Sequence, residues 1–164
     1  MISVLLALTL ATGGFASPAN GTASGFFRMD QTTSTFTSAC AFTLPRRDDA
    51  EGLATVVVLT THAVDCAAVA AAESPARALD QDLEGQGGEY VMLWLADGAG
   101  EMDGEWTQPA ESRGFGFKGK GEVTHTVRTD ARVEGSYRSG GPITFFKRTY
   151  EFDMTWAVDV QPTP

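Results

Sequence analysis

The carboxyl-terminal region of the chain alternates apolar and polar side chains with a period of two. Apolar residues occupy the even positions of residues 150–160, and polar or small residues occupy the odd ones. Successive side chains of a β-strand point to opposite faces of the sheet, so this pattern predicts a long strand with one buried and one wet face. Because the apolar set must share one side, we predict that Trp156 lies in the core.

Two other runs, residues 56–59 and 90–96, are apolar throughout. Strands covered on both faces have this composition, so we predict that both are central strands. Weaker alternation over residues 36–44, 123–127 and 133–137, with turn-forming residues between the segments, favours antiparallel pairing. The sequence therefore predicts a mainly β fold: an antiparallel β-sandwich or flattened barrel of about eight strands with a short helical insertion.

The insertion is predicted over residues 66–83, which are rich in alanine and place Leu79 and Leu83 four positions apart. Ser74-Pro75 should divide it, because proline disfavours helical geometry in the preceding residue and is well placed to begin a new helix. We expect two short helices between two central strands, packed over an open end of the sandwich.

The amino-terminal residues 1–11 are apolar, and small residues dominate positions 12–19. This layout is typical of a secretory signal peptide, and the apolar segment is roughly half as long as a membrane-spanning helix. We predict a signal peptide over residues 1–19, cleaved after Ala16 or after Ala19, and a single β domain over residues 20–164. The product would be periplasmic or extracellular, with no membrane anchor after cleavage. No Lys or Arg precedes the apolar segment, so an unusual apolar first strand is the alternative.

The two cysteines, Cys40 and Cys66, form an even count in a chain with an export signal. Paired thiols persist as disulfides in oxidising compartments, so we predict a Cys40–Cys66 bond, the alternative being two buried reduced thiols. With only His62 and His125 besides, the spacing matches no zinc site.

The net charge of −9 arises entirely after position 27, and a surface of this sign repels nucleic acid and anionic lipid. We therefore exclude nucleic acid as a partner. Acidic residues are concentrated in residues 73–105 and basic ones in residues 113–148. Either neighbouring strands pair opposite charges across a solvated face, or the chain presents a docking surface of one sign.

No nucleophile elbow, zinc-protease motif or phosphate loop occurs in the sequence. We therefore predict no catalytic residue, metal ligand or cofactor. His62 could act as a base oriented by Asp65, but its position directly after a strand favours a surface loop histidine. His125 shares a face with Val123 and Val127, which favours a histidine in the core or at its rim.

Carboxylates cluster between Asp97 and Glu105, and a second acidic turn contains Asp48, Asp49 and Glu51. Carboxylates between glycines could bind calcium, but neither spacing matches a calcium loop, and Asp-Gly pairs are common in hairpin turns for backbone reasons. Gly104-Glu105-Trp106 resembles the Gly-x-Trp motif of lipocalins. That motif lies on the first strand in the family, whereas here it lies past the middle of the chain.

A set of short motifs extends over most of the chain: Ser24-Gly25-Phe26-Phe27, Ala41-Phe42, Asp48-Asp49, residues 56–61, Gly135 and Tyr150-Glu151-Phe152-Asp153. The set is similar to uncharacterised exported β-sandwich proteins of bacteria. The resemblance implies the fold and export, and it transfers no catalytic residue.

Function is expected to be non-catalytic binding of a protein partner or a small ligand. The alternatives are a hydrolase using dispersed carboxylates and a structural component of the cell envelope. A ligand carrier should show an apolar cavity lined by aromatic residues, whereas an enzyme should show titratable groups converging in a cleft.

Overall fold

The computed structural model of the chain describes residues 20–47, 52–95 and 102–162. The predicted signal peptide lies outside the described residues, as do Asp48, Asp49, Glu51 and the carboxylates at positions 97 and 101. No helix within the described ranges has the length and apolar character needed to cross a membrane.

Eleven strands and two helices lie in the described parts of the chain. The strands are β1 (Gly21–Met29), β2 (Thr32–Thr35), β3 (Ser38–Pro45), β4 (Leu53–Thr60), β5 (Tyr90–Trp94), β6 (Asp103–Gln108), β7 (Arg113–Lys118), β8 (Glu122–Arg128), β9 (Arg132–Arg138), β10 (Ile143–Phe145) and β11 (Arg148–Asp159). The helices are α1 (Cys66–Ala71) and α2 (Pro75–Glu84).

The strands form one antiparallel sheet in the order β7-β6-β5-β4-β3-β1-β11-β9-β8, with β2 added to β1 and β10 added to β11. The sheet curls into a half-barrel, which confirms the predicted mainly β, antiparallel fold with a short helical insertion. Of the two predicted architectures, the flattened barrel is the closer, because no second sheet faces the first among the described residues. The strand number exceeds the predicted one partly because β2 and β10 are too short to show a period of two.

The joint between β1 and β3 divides the sheet into two halves. These strands pair only through Gly21 with Ala39 and Thr22 with Ser38, whereas β3 and β4 pair over eight positions. One half consists of β3 to β7, and the other consists of β1, β2 and β8 to β11. Few backbone hydrogen bonds therefore connect the two halves at this joint.

The central strands β3, β4 and β5 are covered on both faces. The apolar runs predicted this for β4 and β5, whereas the weaker alternation of residues 36–44 did not predict it for β3. Val57, Leu59 and Leu93 face the interior of the curl, whereas Val58 and Met92 lie on the outer face beneath the helices. Adjacent side chains on each strand thus enter different cores. Each of these strands therefore contributes side chains to both the inner and the outer hydrophobic core.

Both predicted helices form, with the expected break between them. Asp65 caps α1, its Oδ1 accepting hydrogen bonds from the amides of Ala67 and Ala68 at 3.1 and 3.0 Å, and Pro75 is the first residue of α2. Leu79 and Leu83 are fully buried against the outer face of the central strands. The helices therefore cover a face of the sheet and not an open end, because the even-numbered apolar residues of β3 to β5 would otherwise face water.

Cys40 of β3 and Cys66 of α1 are joined by a disulfide, with Cα atoms 5.4 Å apart. Both residues are buried in the outer core. The bond therefore anchors the helical insertion to the sheet that it covers.

Aromatic rings fill the interior of the curl and pack around Phe27 of β1. The Phe27 ring lies 5.6 Å from the Trp106 ring and 5.2 Å from the Phe117 ring, centroid to centroid. Phe117 in turn lies 5.3 Å from Phe152 of β11, and Phe115 lies 5.1 Å from Tyr150. Since β7 and β11 are not hydrogen-bonded neighbours, ring packing holds the two halves together across this seam.

Strand β11 shows the alternation predicted from its sequence. Tyr150, Phe152, Met154, Trp156 and Val158 are all buried, with Trp156 only 3% exposed. On the opposite face, Asp153 forms an exposed ion pair with Arg138 at 2.9 Å.

Replacing Trp156 should therefore cost far more stability than replacing Asp153. Trp156→Ala removes a large buried contact and leaves a void, which costs about 3–5 kcal/mol in typical cores. Asp153→Ala removes an exposed ion pair and should cost less than about 1 kcal/mol. Urea melts of the two variants measure the difference, and equal midpoints would show that the apolar face of β11 is not part of the core.

Loss of the Cys40–Cys66 bond should also destabilise the fold. Its two cysteines are 26 positions apart, and a crosslink closing a loop of that size stabilises a protein by about 3 kcal/mol. Peptide mapping without reductant should recover the two cysteine peptides linked, and a urea melt in reductant should shift to lower denaturant. Free thiols on both residues in native protein would contradict the pairing.

Candidate ligand-binding cleft

A cleft of about 370 Å³ opens at the seam between the two halves of the sheet. This volume lies within the range of small-molecule pockets. Its walls come from the adjoining ends of β6 and β7, the segment after β3, the turn after β7 and the β10–β11 hairpin. The lining residues are Arg47, Asp103, Gly104, Gly116, Phe117, Lys118, Lys120, Phe145 and Tyr150.

The apolar part of the cleft depends on rings and on two glycines. Phe117 and Tyr150 belong to the interior aromatic packing, whereas Phe145 is 46% exposed. Gly104 lies directly opposite Phe117 on the neighbouring strand, and a Cβ at Gly104 would overlap the Phe117 ring. Glycine at position 104 therefore lets the ring lie over the strand. A Cβ at Gly116 would have only the Gly104 carbonyl oxygen near it, at 4.0 Å.

Arg47 is fixed at the mouth of the cleft by two contacts. Its guanidinium carbon lies 3.6 Å from the centroid of the Trp94 ring, and the guanidinium forms an ion pair with Glu105. Cation–π stacking orients the flat guanidinium group as well as attracting it. Arg47 therefore presents its charge from a defined position, although it is an exposed side chain.

Two lysines complete the positive mouth. Lys118 lies opposite Asp103 in the β6–β7 ladder, with its Nζ 3.6 Å from Asp103 Oδ1. Lys120, in the turn after β7, forms no ion pair with any described carboxylate. Three cations and one carboxylate thus line a cleft in a chain whose net charge is −9.

Tyr137 lies in the interior near the cleft. The pKa of Tyr137 is raised to about 12, mainly by burial and in smaller part by the nearby Tyr150 and Asp103, whereas the Lys120 backbone lowers it. The phenol therefore keeps its proton at neutral pH. It adds no negative charge beneath the lysines.

A second groove, of about 490 Å³, lies on the outer surface between α2 and the strands β6 and β7. Its charge is opposite to that of the cleft, because Asp80, Glu84 and Glu105 line it with Arg113. The Tyr90 hydroxyl donates a hydrogen bond to Asp80 Oδ1 at 2.9 Å, and burial raises the pKa of that tyrosine. The groove is a solvated acidic surface beside the helix.

Most of the uneven charge seen in the sequence is balanced between neighbouring strands. Arg132 pairs with Asp159 at 2.6 Å, and Arg138 pairs with Asp153 at 2.9 Å, both across the β9–β11 ladder. The predicted pairing across a solvated face thus accounts for much of the basic segment. Lys120 is an exception, because no described carboxylate pairs with it, and it lines the cleft.

The structure does not bring His62 and Asp65 together as a catalytic pair. The Asp65 carboxylate caps α1, whereas His62 Nδ1 lies 3.0 Å from the Thr61 hydroxyl. His62 is exposed, as expected for a loop histidine. His125 is half-buried at the rim of the interior, with its ring 6.4 Å from the Trp156 ring.

The described carboxylates of the 97–105 cluster do not converge on a metal site. Asp103 pairs with Lys118 and Glu105 pairs with Arg47, and no group of three or more potential metal ligands occurs in the described part of the chain. Trp106 of the Gly-x-Trp motif is buried, and its Nε1 donates a hydrogen bond to Ser34 Oγ at 2.7 Å.

Ser34 belongs to a buried polar network on the interior side of the sheet. Its hydroxyl donates a hydrogen bond to the carboxylate of Glu89, which also accepts one from Gln108 Nε2. Ser34 is only 2% exposed, so no substrate could reach its oxygen. The network is structural, because it connects β2 in one half of the sheet to β6 in the other.

Most of the residues that line the cleft were not predicted as site residues from the sequence. Lys118 and Lys120 alternate with glycines, and Phe145-Phe146-Lys147-Arg148 places two rings beside two cations. Both patterns depart from the alternation of the neighbouring strands, and that departure was the available signal. The contribution of Arg47 depends on its contact with Trp94, 47 positions away.

Comparison with known proteins finds no family model that matches this chain, and no match among the curated proteins or the solved structures. The candidate site therefore rests on its own geometry.

His125 should make the stability of the fold depend on pH. Burial of the ring lowers its pKa, and the Arg128 charge lowers it further. The unfolded chain then takes up a proton near pH 6.5 that the folded chain resists, so stability falls as the pH drops below that value. Urea midpoints measured at pH 7 and pH 5 should decrease less in His125→Gln than in the unchanged protein. Equal decreases would show that His125 is as accessible to protons in the fold as in the unfolded chain.

Proposed function

We propose that this chain is an exported, non-catalytic binding protein whose cleft takes a small ligand with an apolar body and an anionic end. The observation that carries the proposal is the composition of the cleft. Aromatic rings form its apolar wall, and Arg47, Lys118 and Lys120 line it in a chain that is otherwise strongly acidic.

The apolar wall supplies most of the binding free energy. Phe145 offers most of this wall, because Phe117 and Tyr150 are only 6% and 2% exposed, and a planar body that buries roughly 100 Å² of apolar surface there would gain about 2–3 kcal/mol at the usual coefficient. Part of this gain is offset by the loss of translational and rotational freedom. Affinity in the millimolar range or weaker follows, since a dissociation constant of about 1 mM corresponds to about 4 kcal/mol.

The cations determine which end of the ligand faces the mouth. Each exposed ion pair contributes at most about 1 kcal/mol, so charge selects among ligands and does not by itself retain them. Lys120 contributes most to this selection, because Lys118 and Arg47 already face carboxylates. A carboxylate, sulfonate or phosphate would each satisfy it.

The titratable groups that line the cleft favour a binding function over a hydrolase function. The lining of the cleft contains one carboxylate, Asp103, which Lys118 engages, and no histidine. General acid–base catalysis needs a pair of groups with separated roles within reach of the substrate. The described cleft offers no such pair.

A periplasmic or extracellular location completes the proposal. The Cys40–Cys66 bond supports it, since disulfides persist in oxidising compartments. The signal-peptide pattern of residues 1–19 supports it independently.

Two fluorescent probes with a similar aromatic body test the charge requirement. Anilinonaphthalene sulfonate carries an anion, and N-phenyl-1-naphthylamine does not. We expect the sulfonate to bind about fivefold more tightly, and Lys120→Glu to remove that advantage while leaving the neutral probe unaffected. Arg77→Glu, an exposed cation on α2 away from the cleft, is the matched control and should change neither affinity.

A pair of glycine variants tests the location. Gly116→Phe would add a ring at the cationic mouth of the cleft, because position 116 shares the strand face of Lys118 and a Cβ there meets open space, whereas Gly114→Phe places the same ring two residues away on that face, outside the cleft. Loss of binding of both probes is expected only for Gly116→Phe. Equal binding by both variants, with unchanged urea midpoints, would refute this site.

A further inference from the structure

The β10–β11 hairpin ends in a two-residue turn with unusual residues. Phe146 and Lys147 are its two turn residues, and both have left-handed backbone conformations, with φ of 45° and 65°. Two-residue turns of this kind strongly prefer Asn-Gly, because a Cβ crowds the following carbonyl oxygen at positive φ, which glycine avoids and asparagine tolerates. A phenylalanine and a lysine are held here against that preference.

The base of the hairpin is rigid. Asp30, in the turn between β1 and β2, accepts a hydrogen bond from the Thr149 amide at 2.9 Å and pairs with Arg148 at 2.6 Å. The Asp30 amide donates to the Thr149 carbonyl at 2.7 Å. The tip is therefore presented from a fixed position.

What the turn presents is an exposed pair of rings. Phe146 is 85% exposed, and its ring packs edge-on against Phe145 at 4.5 Å between centroids. Leu53 is the remaining exposed large apolar side chain in the described residues, and it lies on a different strand. We call Phe145, Phe146 and Lys147 the hairpin tip.

Positive charge flanks the rings. Lys147 forms no ion pair with any carboxylate of the described ranges, and Lys120 lies at the adjoining mouth of the cleft. Aromatic rings with neighbouring lysines are the composition that enters the interface of an anionic bilayer, where the rings sit at headgroup level and the ammonium groups meet phosphates.

We infer that the hairpin tip docks this protein reversibly onto an anionic lipid surface. The small size of the patch favours a bilayer over a protein partner. Two exposed phenyl rings bury at most a few hundred Å², whereas stable protein interfaces bury about 800 Å² on each partner. A narrow projecting tip enters a fluid headgroup layer without needing a complementary surface.

The net charge of −9 does not prevent this contact. Charges farther than about 8 Å from the lipid are screened at physiological ionic strength, so the sign of the nearest side chains dominates. Docking should accordingly require anionic lipid and weaken as salt is added.

Phe145 belongs both to the hairpin tip and to the cleft lining. Docking would thus place the cleft mouth at the lipid headgroups, where amphiphiles with anionic ends are found. The docking proposal stands without the ligand proposal, because flotation is measured without a probe and probe binding is measured without vesicles.

Flotation with phosphatidylcholine vesicles, with or without phosphatidylglycerol, tests the inference on protein recovered from the medium or periplasm. The protein should float only with the anionic vesicles. Phe146→Ser should weaken the partition about tenfold, and Lys147→Glu should weaken it by a similar factor. Leu53→Ser, which removes an exposed apolar side chain elsewhere, is the matched control and should change it by less than about twofold.

Phe146→Trp and Leu53→Trp add a direct readout of insertion. Brominated lipids should quench the added fluorescence of the first variant and not that of the second. Failure of the unchanged protein to float, or flotation of Phe146→Ser equal to that of the unchanged protein, would overturn the proposal. Equal flotation with neutral and anionic vesicles would overturn the requirement for anionic lipid, and with it the role of Lys147.

Discussion

The packing of rings around Phe27 is the interaction on which the rest of this structure depends. The two halves of the sheet share two residue pairs between β1 and β3 and one backbone contact from Ala41 to Val160 and Gln161, so few backbone hydrogen bonds connect them. Phe27 and Phe152 from one half meet Trp106 and Phe117 from the other. Each ring pair contributes about 0.5–1.5 kcal/mol beyond the burial of its surface. The curl is thus closed by side chains.

Closure by side chains explains why a cleft exists where it does. A ladder of hydrogen bonds holds two strands at a fixed spacing of about 4.8 Å and leaves no room between them. Aromatic side chains of different size impose no such fixed spacing between the two strands that they join. At the seam, Gly104 leaves room for the Phe117 ring, and beyond that ring the wall opens toward Lys118 and Phe145. The aromatic packing at the seam therefore both closes the core and leaves room for the candidate site.

Local patterns in the sequence predicted much of the fold because their physical causes are local. The alternation around Trp156 reports one buried face, the uniform run at residues 56–59 reports two, and Ser74-Pro75 divides the helical insertion. The position of the helices was not predictable in this way. Covering a face and closing an open end both require the same amphipathic pattern, and only the pairing of three central strands distinguishes them.

The cleft could not be predicted from the sequence for a related reason. Arg47 gains its position from Trp94 and Glu105, which follow it by 47 and 58 residues. Lys120 and Lys147 both lack a carboxylate partner among the described residues, and only the fold places Lys120 in the cleft lining. Such properties arise from long-range geometry. A curled sheet with a weak joint creates that geometry without a motif that could be recognised along the chain.

The central claim is that one ligand site is formed jointly by both halves of the sheet at their seam. Amide chemical shifts recorded by NMR during titration with anilinonaphthalene sulfonate test it most directly. The account predicts that amides of Gly116 and Lys118 in one half, and of Phe145 and Tyr150 in the other, shift together with a single dissociation constant. Shifts confined to one half, or centred on Asp80 and Glu84 beside α2, would contradict it.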